Sequence, residues 1–445
     1  MYLPEEVSYI IHKLEEAGYE AYAVGGCVRD ALLGREPDDW DITTEAPPER
    51  VMEIFPRTFA TGLAHGTVTV RVRGRGYEVT TYRIDGEYSD GRHPDSVEFT
   101  TELQEDLCRR DFTVNAMAYH PRRGLVDLFG GKQDLEKGVI RCVGDPGERF
   151  GEDALRMLRA LRFSAQLDFT IEEETFAAIG ALSASIGQVS AERIRTELVK
   201  LLVSGHPERM ADVAETGLSA VFFPEWDALF ATPQHTVHHD YDVGRHTIAV
   251  LCAVPPIKRL RLAALLHDIG KPLAKKTDPK GRDHFVGHPQ LGEKLAKAIM
   301  RRLKFDNDTI RDVAVLVRYH DERPQLSPRN VRRLASRVGA AYMEDLIALK
   351  RADIIGQSDY LREEKLAAVD ALAGLFDECK KQESALTLKG LAINGRDLME
   401  AGIPGGKLLG SILKVLLSEV VDDPDRNNRK YLLARAAQLS VDLHL

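Results

Sequence analysis

Ala21-Tyr22-Ala23-Val24-Gly25-Gly26-Cys27-Val28-Arg29-Asp30 runs a short apolar strand through a pair of glycines into the start of a helix. Glycines at such a turn let backbone N–H groups approach an anion, and a helix start favours negative charge there. Arg29 adds a fork of donors suited to a phosphate. Downstream comes Asp38-Asp39-Trp40-Asp41-Ile42. If residues 40–43 are extended, side chains alternate faces, so Asp39 and Asp41 point the same way. Like charges side by side repel, and Mg²⁺ held between the carboxylates and a nucleotide's phosphates relieves the repulsion. A solvated acidic loop is the plain alternative, and the preceding glycine turn argues against it. Glu78, in Tyr77-Glu78-Val79-Thr80, supplies a third carboxylate able to orient or deprotonate an attacking hydroxyl. Its plain alternative is a charge on an exposed strand face.

Working outward, residues 1–140 read as α+β. Val7, Ile10, Ile11 and Leu14 recur at helical spacing, with Gly18 as a stop. Strands are expected at 21–24, 40–43, 66–72 and 77–82, separated by Gly- and Pro-rich turns. From about Asp145 the texture becomes Ala, Leu, Arg and Glu at helical period, with helices expected over 152–166 and 191–203. Pro224-Glu225-Trp226 breaks that pattern, and most of the 14 histidines follow between His235 and His320. The last segment, from about Leu386, ends in helices over 408–421 and 426–438.

A chain of 445 residues exceeds one ordinary core, and ~150 residues per domain gives about three domains. The changes of texture divide it into 1–140, 141–220, 221–380 and 381–445. Hydrophobic content of 44% with 29% charged residues excludes wholesale disorder. No apolar run reaches the ~18–20 residues of a membrane helix, and Met1-Tyr2-Leu3-Pro4-Glu5-Glu6 is not a secretory signal. Cys27, Cys108, Cys142, Cys252 and Cys379 form no CxxC pair, which points to a reducing cytosol and away from disulfides or a thiolate zinc site. The net charge of −9 would discourage a nucleic-acid partner if it were evenly spread, but local distribution matters more than the sum.

Arg109-Arg110-Asp111-Phe112-Thr113-Val114-Asn115 sets adjacent arginines before an apolar run, a pattern that suits an anion. Asp153, Arg156, Arg159 and Arg162 then recur every three residues. At ~100° per residue the stripe drifts ~60° per step, so neighbours share a face. Leu155, Leu158 and Leu161 bury the other side, and the basic stripe is expected to face the preceding domain with its glycine turn.

The order GGCVRD, DWD, EVTTYR, RRDFTVNAM, DPGERFGEDALRMLRALRF and AERIRTEL, spread over residues 25–198, resembles the tRNA nucleotidyltransferases, or CCA-adding enzymes. The resemblance implies an α+β, polymerase-β-like catalytic head, shared with bacterial poly(A) polymerases, followed by all-α neck, HD and tail domains. Gly390-Leu391-Ala392-Ile393-Asn394-Gly395-Arg396-Asp397-Leu398 is similar, more loosely, to that family's tRNA-binding tail. The implied activity is template-independent addition of CCA, or of its terminal A, to the 3′ end of tRNA from CTP and ATP. The implied roles are Mg²⁺ binding for Asp39 and Asp41, and triphosphate contact for Gly26 and Arg29. Arg110, Arg159 and Arg162 are nucleotide contacts, and Asp153 and Arg156 read the incoming base. Cytosine and adenine both set an amine donor beside a ring-nitrogen acceptor, which a carboxylate and a guanidinium satisfy. Uracil and guanine invert that pattern and leave buried groups unpaired, a penalty that supports discrimination of ~10⁴ or more. Arg193, Arg195 and Lys200, with Lys389, Arg396 and Lys407 in the tail, are the expected contacts to tRNA phosphates.

Residues 84–95 are polar and Gly-rich. In the family a loop here accompanies addition of the final A, which favours full CCA or A addition over CC addition; an ordinary long hairpin connection is the alternative. A poly(A) polymerase is the alternative activity within the class. A phosphohydrolase whose head merely binds nucleotide is the alternative outside it. No membrane and no obligate protein partner is expected, and the expected compartment is the cytoplasm.

His246, His267-Asp268 and Asp353 follow the H…HD…D pattern of the HD-type metal-dependent phosphohydrolases, a resemblance running from about Asp242 to Asp359. An apolar helix over 260–266 delivers His267 and Asp268 together at its end. Imidazole nitrogens with carboxylate oxygens suit Mn, Ni or Fe, and Mg more weakly. His288 and His320 extend the set to six ligands and two metals, as in some members, whereas His284 and His239 read as ordinary core or surface residues. The expected substrates are 2′,3′-cyclic phosphates, 2′-phosphates or damaged tRNA ends.

Overall fold

Strand β1 (Ala21–Val24) is buried along its whole length, as a strand covered on both faces must be. In the computed structural model of the protein it lies inside a seven-stranded sheet. The structure describes residues 1–86, 96–238, 241–381 and 386–442. It forms two compact units, Met1–Pro224 and Glu225–Leu445.

In the first unit β1 is followed by β2 (Asp41–Thr44), β3 (Thr58–Gly62), β4 (Thr67–Val72) and β5 (Arg75–Thr81). A separate hairpin, β6 (Arg83–Asp85) with β7 (Val97–Phe99), precedes β8 (Met117–His120) and β9 (Gly124–Asp127). The sheet order is β3-β4-β5-β2-β1-β8-β9, and β2 with β5 is its one parallel pair. Sequence periodicity finds β1, β2, β4 and β5 to within two residues but not β3, β8 or β9. The polar segment assigned to terminal-A addition lies largely outside the described residues, at 87–95; at its base Gly86 donates to the Ser96 carbonyl at 2.9 Å.

The expected helix over 152–166 is in fact interrupted. Pro146–Glu152 and Leu155–Leu167 are separate helices, and between them Asp153 is extended at φ −144°, ψ 102°. Its carboxylate accepts from the Leu155 N–H at 3.1 Å, so a short acidic side chain caps the following helix instead of continuing the preceding one. Helical spacing cannot register this, because the leucines beyond the break keep the same period. Asp153 therefore leads the arginine stripe from outside the helix.

In the second unit, helices Val243–Ala253, Lys258–Leu266, His288–Arg302, Asn307–Tyr319 and Met343–Ile355 pack on one another. Gly270 makes one of these contacts possible: a Cβ there would sit 2.3 Å from the His288 carbonyl oxygen and 2.6 Å from the Gly292 nitrogen. Any side chain would push the turn after His267-Asp268 off the helix that begins at His288. The tail helices Lys407–Asp422 and Arg429–Asp442 share a core of their own around Leu398, Ile412, Leu416 and Leu432. From helix Pro328–Val338, Arg332 donates to the carbonyls of Val421 (2.7 Å) and Asp422 (3.1 Å). These are orphan carbonyls at a helix C-terminus, where cations are stabilising. No helix of the described residues is long and apolar enough to cross a membrane.

Candidate functional site

The parallel pairing of β2 with β5 sets Asp41 directly against Glu78, one strand spacing (~4.8 Å) away. Asp39, Asp41 and Glu78 are all exposed. The strand starts one residue later than expected, so Asp39 belongs to the bend before β2 and not to an alternation within it. Desolvation and the neighbouring charges of Glu78 and Asp39 push the Asp41 carboxyl up, against the pull of Arg110. Such a cluster gains from a bound cation, so its donor chemistry fits a divalent ion.

Gly25 turns the chain at φ +82°, and a Cβ on it would lie 2.9 Å from Arg110 Nη1. The positive φ is what favours glycine here, since the flexible end of Arg110 can shift to admit a Cβ. Gly26 opens the helix Gly26–Leu32. Arg29 is buried: it donates to Asn115 Oδ1 (2.7 Å) and holds the Asp30 carboxylate through two bonds of 2.9 Å. Arg110 donates to Asp106 at 3.2 Å, and the same fully buried carboxylate accepts from Arg109 (2.7 and 3.0 Å) and Thr43 (3.0 Å). Burial pushes the Asp106 carboxyl up, but Arg110 and Arg109 outweigh it and hold it low. Sequence reasoning missed Asp106; the available signal was an acid one helical turn before the arginine pair.

As expected, part of the arginine stripe turns to the head. Arg159 donates to Asp111 Oδ2 at 2.6 and 2.9 Å, and Arg156 donates to the Arg109 carbonyl at 2.9 Å while pairing with Glu152. Arg162 faces elsewhere, pairing with Glu197 at 2.7 Å. The guanidiniums of Arg29, Arg159 and Arg162 gather over the Phe163 ring, 5.1, 5.5 and 3.5 Å from its centroid. Asp153 and Arg156 are not paired with each other. Asp153 binds Arg193 at 2.7 and 3.2 Å, so Arg193, expected on the RNA phosphates, is committed to an ion pair instead. Asp111, Asn115 and Phe163 went unmarked in the sequence although they lie in its motifs.

Asp111 offers a pH test. Burial would push its carboxyl up, yet Arg159 and Arg156 hold it down at about 2. A depressed carboxyl stabilises the fold above its unfolded pKa and loses that contribution as pH falls through the folded one. In urea unfolding of the first unit, Asp111→Asn should cost about 2 kcal/mol at pH 7, with wild type and variant converging between pH ~4 and ~2. A gap that persists at pH 2 would assign the loss to packing.

In the second unit the turn after helix Lys258–Leu266 presents His267 and Asp268, both fully buried. His246 Nε2 lies 3.2 Å from His267 Nε2, and His288 Nε2 lies 3.1 Å from His320 Nε2. Each of these rings turns Nδ1 to a main-chain carbonyl: Gly356 (3.0 Å), Ala264, Phe285 and Val317 (each 2.8 Å). A carbonyl only accepts, so Nδ1 carries the proton and the neutral ring presents a bare Nε2 lone pair inward. Asp268 bridges the pairs, Oδ2 lying 3.4 and 3.2 Å from His246 and His267, and Oδ1 lying 3.3 and 3.5 Å from His288 and His320. Asp353 reaches His246 at 3.0 Å and His267 at 3.8 Å. Burial pushes the Asp268 carboxyl up, but the Lys271 ammonium, 2.7 Å from its Oδ2, pulls it down. Converging lone pairs around ionised carboxylates repel unless a cation lies among them, so this donor set fits a divalent metal. His284 is exposed and pairs with Asp278; His239 lies outside the described residues.

Residues 21–141 match the model of the Poly A polymerase head domain, and 168–230 that of a probable RNA- and SrmB-binding site of polymerase A. Residues 243–366 match the HD domain. Over 441 residues the chain is 36% identical to the CCA-adding enzyme of Levilactobacillus brevis, spanning 97% of this chain and 98% of that one. The chain belongs to the CCA-adding enzymes. Over 198 residues it is 52% identical to the CCA-adding enzyme of Lactiplantibacillus plantarum, covering 44% of this chain and 49% of that one. The crystal structure of the Bacillus stearothermophilus CCA-adding enzyme in complex with CTP superposes with a TM-score of 0.74 at 28% identity, over 100% of this chain and 99% of that one. This CCA-adding enzyme thus has a nucleotidyltransferase head, which implies a divalent metal, and a second His/Asp cluster compatible with metal binding.

Proposed function

We propose that Asp39, Asp41 and Glu78, with the Gly25–Gly26 turn and Arg110, form the site that adds CCA to the 3′ end of tRNA from CTP and ATP without a template. The observation that carries this reading is the set of exposed carboxylates on β2, on β5 and in the bend before β2, beside an arginine-lined glycine turn, in a chain of the CCA-adding family. Asp39 and Asp41 would hold Mg²⁺, which when bound offsets the charge developing on the transferred phosphoryl group. Glu78 takes the proton of the 3′-hydroxyl as its oxygen bonds to the α-phosphorus and pyrophosphate leaves. Gly26, Arg29 and Arg110 favour the triphosphate, and Arg159 and Arg162 add positive charge around Phe163. The test is to offer tRNAs ending at the discriminator base, at C and at CC, with CTP and ATP separately. Full CCA addition requires CTP incorporation on the first two and ATP on the third; ATP on the third alone would make the chain an A-adding specialist. Its compartment is proposed to be the cytoplasm, in keeping with five free cysteines.

Asp153 and Arg156 read the base in this proposal, so the base's amine must displace Arg193 from Asp153. Asp153→Ala should erode selectivity for CTP over UTP by about tenfold or more, while slowing turnover at saturating CTP less. A uniform loss of rate at unchanged selectivity would leave Asp153 its structural roles, the cap at Leu155 and the ion pair with Arg193.

The facing imidazole nitrogens favour a second reading, a metal-dependent phosphohydrolase. His246, His267, Asp268 and Asp353 would hold one ion, and Asp268, His288 and His320 another, of the Mn, Ni or Fe type. An ion of this kind, when bound, makes water acidic enough to attack a phosphoester at neutral pH. The proposed substrates are 2′,3′-cyclic phosphates and 2′-phosphates at RNA 3′ ends, which the head cannot extend until they are cleared.

A further inference from the structure

Asn115 lies between two charged groups of the head. It ends the short 3₁₀ turn Thr113–Asn115 and is 7% exposed. Its Oδ1 accepts from Arg29 Nη1 at 2.7 Å, and its Nδ2 donates to Asp111 Oδ1 at 3.2 Å. Asp111 is held at its other oxygen by Arg159, at 2.6 and 2.9 Å. A guanidinium only donates and an ionised carboxylate only accepts, so a residue that joins them must do both. An aspartate at this place would repel Asp111, and a lysine or arginine would repel Arg29. A neutral amide satisfies both neighbours, and the fold buries one there.

We infer that Asn115 is a positioning residue for nucleotidyl transfer, fixing the Arg29 fork against the glycine turn so that its remaining N–H groups meet the triphosphate. The inference rests on the reading that places Arg29 on the triphosphate, and it names the residue that aims it. Asp30 takes Arg29 Nε and Nη2, each at 2.9 Å. A planar fork held along that one edge can still swing about it. The third bond, to Asn115, removes this freedom, and Asp111 keeps the amide itself from turning. Of the guanidinium's five N–H groups, three are engaged by these bonds among the described residues, which leaves one on each terminal nitrogen. Arg29 Nη2 lies 3.6 Å from where a Cβ on Gly26 would stand, so the remaining donors border the glycine turn. Donors already fixed in place lose little freedom when a phosphate arrives, and the affinity gains by that amount.

The test is single-turnover addition of CTP by the full chain, with Mg²⁺, to a tRNA ending at the discriminator base, which reads the head alone. Asn115→Leu keeps the volume without polar groups, and Asn115→Ser keeps polarity without the reach, so either carries the test if the other does not fold. Each should raise the half-saturating CTP concentration about tenfold, the scale of one hydrogen bond to a charged group. Inhibition of the same reaction by cytidine should stay nearly unchanged, because cytidine offers Arg29 no phosphate. Arg29→Ala should weaken CTP at least as much. Asn115→Leu added to Arg29→Ala should then weaken it no further, since a residue that acts through Arg29 has nothing left to position. Effects that add, or an equal loss for CTP and cytidine, overturn the inference and leave Asn115 a support of the fold. Unchanged CTP saturation in the Asn115 variants overturns it as well. If Arg29→Ala itself leaves CTP saturation unchanged, the reading that puts Arg29 on the triphosphate falls, and the inference with it.

Discussion

Replacing Asp39 or Asp41 by alanine should lower incorporation of CTP and of ATP together, by about 10³-fold or more, while tRNA binding stays within a few-fold of wild type. The size of the effect follows from the site's electrostatics. Asp41 already has Glu78 as its register partner and a carboxyl pushed up by desolvation and by that charge. The basic groups nearby do not substitute for a cation at the start of β2: Arg110 is tied to Asp106, and Arg29 to Asp30 and Asn115. Single-turnover labelling of a tRNA ending in CC, with a filter-binding control, separates loss of chemistry from loss of substrate. Near-normal turnover in either variant would remove that carboxylate from the metal site.

The second large effect belongs to the histidine cluster. His267→Ala should abolish metal-dependent phosphohydrolase activity, by at least about 10²-fold, and leave CTP incorporation unchanged. It should also lower the metal content of the purified protein. Asp268→Ala should be more severe, because its two oxygens face different histidine pairs, so both positions should empty together. The measurements are metal analysis and hydrolysis of a 2′,3′-cyclic phosphate with Mn²⁺ or Ni²⁺. A wild-type protein that retains no metal and turns over no such substrate would reduce the cluster to a structural remnant.

The parts of both sites that carry charge on short spans were legible in the sequence: the DWD segment, the arginine pair and the HD doublet all announce themselves locally. Residues that act as counter-ions were not. Asp106 and Asp111 look like any acid on a helix or turn until the fold shows which guanidinium each one holds. Asp153 shows the limit of periodicity, since a helix break that preserves the leucine spacing leaves no trace in the pattern. The stripe arithmetic placed Arg156 and Arg159 toward the head but could not foresee that Glu197 would draw Arg162 toward another helix.

The main-chain carbonyls that hold His246, His267, His288 and His320 also bear on how the cluster responds to an ion. A ring that is already fixed has no rotational freedom left to lose, so the ordering entropy that usually opposes ligation was settled when the domain folded. Fixed lone pairs cannot turn away from one another, so only a cation or a proton among them relieves their repulsion. Loading should therefore show up as a sharp rise in the melting temperature of the second unit, with little change in its shape, and the bound ion should exchange slowly.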